Sequence, residues 1–165
     1  MIRSKIGDAS EKRTVGEGII SNVARVFFAL WYLLGSLVHV KFGLTNNHIY
    51  EPFGRTSLFA ASGELWTRVV MPHIAFFALL LAAFEMAVGI LLLSKGRYVK
   101  IGLTASVLFN LFLVQLGLGY PEIQGSERDF LVNRLPTLLF ALLQCPLFWV
   151  HFDNSLPTLL RAPLR

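Results

Sequence analysis

Apolar residues gather in four long windows, Ile19–Val40, His73–Ser94, Ile101–Gly119 and Leu131–Val150. Each is close to the about 20 residues a helix needs to cross a hydrocarbon core of about 30 Å. Within them only Arg25, Glu85 and Arg134 carry charge. The pattern predicts an all-α membrane protein, a four-helix transmembrane bundle over 19–150, with a polar arm at 1–18 and a tail at 151–165. The segment Lys41–Pro72 is the only long connection. It is too long for a passive hairpin, and Tyr50, Phe53, Phe59 and Trp66 within it predict short helices lying in the interface. Lys95–Lys100, with Gly96, predicts a tight turn. Tyr120–Phe130 predicts an acidic loop, and Pro157 and Pro163 keep the tail from forming a long helix.

Composition narrows the class. Charged residues make up 15% of the chain and hydrophobic ones 55%, with a mean hydropathy of +0.60. Soluble domains carry about 25% charge, so a soluble enzyme, a nucleic-acid binder and a disulfide scaffold are excluded. The net charge of +5 records topology rather than a nucleic-acid partner. Arg3, Lys5, Lys12, Arg13, Lys95, Arg97, Lys100, Arg161 and Arg165 fall on one side, against Lys41, Arg55, Arg68 and Arg128 on the other. The positive-inside rule then predicts both termini in the cytoplasm, in the cell membrane, and Lys41–Pro72 outside. The polar leader feeds a span too long for the apolar core of a cleavable signal. Cys145 is alone, so neither an internal disulfide nor a CxxC pair is expected.

Polar groups inside spans are costly, and their helical phase is informative. Arg25, Tyr32, Ser36 and His39 lie at offsets 0, 7, 11 and 14, one narrow stripe of span one. Glu85 shares a stripe of small residues with Ala78, Ala82 and Gly89, which permits close packing. Span three offers Asn110 and Gln115; span four offers Arg134, Thr137 and Cys145 on one face. Arg25 lies about 9 Å inside span one and Glu85 about 14 Å from the inner end of span two. The expectation is an intramembrane ion pair between Arg25 and Glu85, as a bundle clasp or in proton or ligand handling. Toward the outer face Tyr32, His39, Gln115 and Arg134 are expected to line a pocket for a lipophile with a polar head, a quinone or a lipid. His39, His73 and His48 lack metal-ligand spacing, and no metal site or catalytic motif is expected.

Two stretches resemble a known family. Arg25 followed by Gly35, with His39 or Lys41 after it, resembles the opening span of the DoxX-like membrane proteins. Glu85-x-x-x-Gly89-x-x-x-Leu93-x-x-Gly96-Arg97 resembles that family's second span and hairpin. The resemblance implies a four-helix bundle, some of whose relatives are membrane subunits of quinone-linked redox systems such as thiosulfate:quinone oxidoreductase. The long first external segment departs from shorter relatives. The expected function is an accessory subunit of a redox or respiratory assembly, holding a quinone or lipid beside a protein partner or a second copy. The contrasting classes are a small lipophile-binding or transport protein, with Glu85 as proton acceptor, and a structural assembly factor.

Overall fold

The computed structural model describes residues 5–155, with side chains from residue 18 onward. Arg3, Pro157, Arg161, Pro163 and Arg165 of the expectations above lie outside the described residues. Every regular element described is helical: α1 (Lys5–Thr45), α2 (Pro52–Thr56), α3 (Ala60–Leu65), α4 (Ile74–Leu93), α5 (Arg97–Leu116) and α6 (Leu135–Leu142), joined by 3-10 and π turns. Among the described residues four stretches are long and apolar enough to cross a membrane: Gly18–Thr45, Ala60–Leu93, Arg97–Leu116 and Phe130–Trp149. The four-span expectation therefore stands. The chain is a multi-pass membrane protein whose exposed apolar residues, such as Leu34, Leu80 and Leu108, face lipid.

The boundaries differ from those expected. Lys5–Gly18 continues the helix of span one instead of forming a separate arm, and that span runs on to Thr45. The helix resumes at Ala60, so Lys41–Pro72 is not one connection. Only 46–59 separates the spans, carrying the 3-10 turn Asn47–Tyr50 and α2. Pro72 does not end the helix because the backbone widens into a π turn at Trp66–Val70 just before it. A proline lacks an N–H and crowds the carbonyl four residues back, and a wider turn relieves both demands. The same device recurs in span four, where a π turn at Phe130–Arg134 precedes Pro136.

The spans pack in the order α1, α4, α5, α6, and Phe140 closes the ring against Phe28 and Trp31 of α1. The α1–α4 seam is set by small residues. A Cβ on Gly43 would overlap that of Ala78, and one on Gly89 would come within 2.7 Å of Leu33. Such close backbones gain dispersion contact where lipid offers no hydrophobic drive between helices. Two apolar clusters result, one around Phe28, Val88, Leu92 and Leu103, the other around Tyr50, Ile74 and Ala78. The bundle has two ends. At one, which we call the terminal end, the turn at Gly96 (φ +56°) meets the segment after span four, Gly96 N–H donating to Phe152 O at 2.7 Å. At the other, the loop end, 46–59 and 117–129 fold over the spans.

Candidate functional site

Among the described residues, the buried Arg25 and Arg134 and the half-buried Lys100 each close the C-terminal end of a helix or helical turn. The last carbonyls of a helix have no partner within it and carry the negative end of its dipole. At the terminal end Arg25 donates to Ser94 O and Asn154 O, both at 3.3 Å, and stacks 4.6 Å from the Phe152 ring centroid. Lys100 donates to Leu147 O at 3.0 Å, Val150 O at 2.7 Å and also Phe148 O. At the loop end Arg134 donates to Val114 O (2.9 Å), Gln115 O (3.3 Å), Thr56 O (2.7 Å) and Asp129 Oδ2 (3.3 Å).

The expected pair of Arg25 with Glu85 is not formed. Arg25 is spent on Ser94 O at the end of α4 and Asn154 O after span four, while Glu85 Oε1 faces His39 Nε2 at 3.6 Å. The close α1–α4 approach sets this register. Glu85 is level with Gly35, whose added Cβ would lie 2.8 Å from Oε2. Gly35 is about 15 Å along α1 from Arg25.

The four residues expected to line one pocket are divided among three clusters. Tyr32 belongs to a buried network: its hydroxyl meets Ser106 Oγ at 2.6 Å and accepts from Asn110 Nδ2 at 2.7 Å, and Ser106 donates on to Gln144. This joins α1, α5 and span four, and a polar group inside the membrane needs such partners. Gln115 and Arg134 belong to the loop-end clasp, where Gln115 Nε2 donates to Ser57 Oγ at 2.6 Å. His39 stands apart from both, with Nδ1 2.7 Å from the Tyr50 hydroxyl. None of the four lines either cavity described below, so the single polar-headed pocket is corrected to three separate clusters.

The third cluster is the most unusual chemically. Glu85 is 6% exposed and its Oε2 has no hydrogen-bond partner. Tyr50 is buried, and Trp66 Nε1 fixes its backbone by donating to Tyr50 O at 2.8 Å. Burial, and after it the negative charge of Glu85, pushes the Tyr50 phenol up to about 12. The hydroxyl thus keeps its proton and can donate to His39 Nδ1, leaving the Nε2–H to face Glu85. Tyr50 was expected only as an interfacial anchor and Lys100 only as a basic residue of the turn; Ser106 and Gln144 carried no expectation. The helical phase of Ser106 with Asn110, four residues apart, was the available signal for one of them.

Open space lies elsewhere. A cavity of about 570 Å³ runs between the 60–93 helix and α5 in the loop-end half, lined by Tyr50, Trp66, Ile74, Leu81, Phe84, Phe109 and Leu113 among others. Its walls are almost wholly apolar. Of its polar groups, Trp66 Nε1 and the Tyr50 hydroxyl are already hydrogen-bonded, which leaves the Ser62 hydroxyl. A second cleft of about 530 Å³ on the opposite face of α3 is polar, with Arg55, Glu64, Thr67 and Arg68 along it. Among the described residues no cluster of His, Cys, Asp or Glu could hold a metal ion.

No family model, characterised protein or solved structure matches this chain.

Proposed function

We propose that the chain is a non-catalytic membrane subunit that holds a long-chain lipophile, an isoprenoid quinone or a lipid, in the apolar cavity between α4 and α5. The cavity carries this reading. Its volume of about 570 Å³ falls within the usual range for small-molecule sites, about 300–1,000 Å³. Apolar walls with one uncommitted hydroxyl suit a hydrocarbon tail, with the head group left at the loop end near Ser62. The resemblance of the Arg25–Gly35 and Glu85–Arg97 stretches to DoxX-like proteins favours a quinone and a redox partner subunit. The nine-to-four bias of basic residues favours cytoplasmic termini and a loop end outside the cell membrane.

The test is organic extraction of protein purified without harsh detergent, followed by chromatography for quinones and lipids. Wild type is expected to retain a stoichiometric long-chain compound. Leu81→Trp, which fills the cavity from α4, should reduce that retention while the bundle stays folded. Equal retention in the filled variant would reject the site. Labelling of Glu122→Cys in intact cells tests orientation; labelling only after permeabilisation would reverse it.

A further inference from the structure

The cluster of Tyr50, His39 and Glu85 touches the tail cavity only through Tyr50, and its order in space is that of an acid–base chain. The phenol is 2.7 Å from one imidazole nitrogen, and the other nitrogen is 3.6 Å from a buried carboxyl oxygen. The second carboxyl oxygen lies against Gly35 and has no hydrogen-bond donor. A carboxyl satisfied entirely by hydrogen bonds would be a structural anchor. One with a free oxygen and a histidine beside it is poised to exchange a proton. The titratable groups around it are His39 and Tyr32 on α1 and Tyr50 on the 3-10 turn. α5 adds only neutral Ser106 and Asn110, through their bonds to Tyr32.

We propose that Tyr50, His39 and Glu85 form a proton-exchange relay between the loop end and the bundle interior, with the Glu85 carboxyl as its inner acceptor. An incoming proton binds the Tyr50 oxygen as that hydroxyl passes its own proton to His39 Nδ1. His39 then gives its Nε2 proton to Glu85 Oε1, forming a carboxylic acid. One proton enters and one O–H bond forms; no electron moves and no co-reactant is consumed. The 3.6 Å gap exceeds a direct hydrogen bond, so the last transfer requires the carboxyl to turn toward the ring. His39, half-buried, stands between Tyr50 and a carboxyl whose side chain is only 8% exposed. Neither step requires the cavity to be filled, so this relay and the proposed function stand or fall separately.

The experiment is time-resolved infrared spectroscopy of the full chain in lipid nanodiscs after a pH jump. A carboxylic-acid carbonyl band should appear on acidification and vanish in Glu85→Gln. Tyr50→Phe, which keeps the ring and removes only the hydroxyl, should slow its appearance by roughly tenfold or more. His39→Gln should slow it likewise, with helical content unchanged by circular dichroism. If Glu85→Gln does not fold, isotope-labelled glutamate in the wild type assigns the band through its frequency shift. No Glu85 band at any pH, or wild-type rates in both Tyr50→Phe and His39→Gln, would overturn the relay.

Discussion

Replacing Arg134 with Met tests whether the loop-end clasp holds the bundle. The end of α5 is fully accounted for. Leu113 O accepts from Gly117 N, Leu116 O from Thr56 Oγ1, Gln115 O from Leu58 N and Arg134, and Val114 O from Arg134. Gly117 (φ +84°) makes the turn possible, and a Cβ there would lie 3.1 Å from Arg134 Nη1. Methionine keeps the apolar stem but removes every donor. Gln115 O retains Leu58, and Asp129 retains Asn133 Nδ2 at 2.8 Å. Val114 O and Thr56 O are left without a donor. At about 1–3 kcal/mol for each orphaned buried acceptor, the loss is about 2–6 kcal/mol. Arg134→Lys should fall between, since one ammonium cannot span the same acceptors in a planar fork. The assay is reversible denaturation in detergent micelles, comparing the midpoints of the three proteins. A shift below about 0.5 kcal/mol for Arg134→Met, the range of ordinary surface changes, would refute the carbonyl accounting.

Gly43→Ala should destabilise by about 1–3 kcal/mol, the usual cost of overpacking, because the new methyl overlaps Ala78; an unchanged melting temperature would mean that the seam is looser than described. A double-mutant cycle of Arg25→Met and Glu85→Gln should be additive within about 0.5 kcal/mol, because the two residues share no partner; coupling well above that would restore the ion pair read from depth alone.

The spans were legible because lipid-facing and helix-facing positions are both apolar, so hydropathy marks a whole crossing whatever its orientation. Their ends were not. Lys41 and Thr45 are compatible with helix, and the lipid no longer demands apolar residues there, so α1 continues past the window. Pro72 reads as a breaker, yet a π turn absorbs it and joins 60–65 to α4. The polar stripe of Arg25, Tyr32, Ser36 and His39 was legible as a face turned to protein, and Arg25, Tyr32 and Ser36 are buried. Which partner each meets depends on axial register, and that follows from the closest approach of Gly35, Gly43 and Gly89 rather than from the ends of hydropathy windows. Glu85 is level with Gly35, ten residues past Arg25 along α1, and so meets His39 instead of Arg25. The cavity was illegible for a similar reason: Leu81, Phe84, Phe109 and Leu113 are ordinary span residues until two helices splay apart around them.

Photolabelling with a quinone or phospholipid that carries a diazirine on its tail tests the binding site most directly. Cross-links mapped by peptide mass spectrometry should concentrate on Leu81, Phe84, Phe109 and Leu113, and excess unlabelled compound should abolish them. Labels spread evenly over exposed span residues outside the cavity, such as Leu30, Leu34 and Leu108, and insensitive to competitor, would contradict a built site for a lipophile.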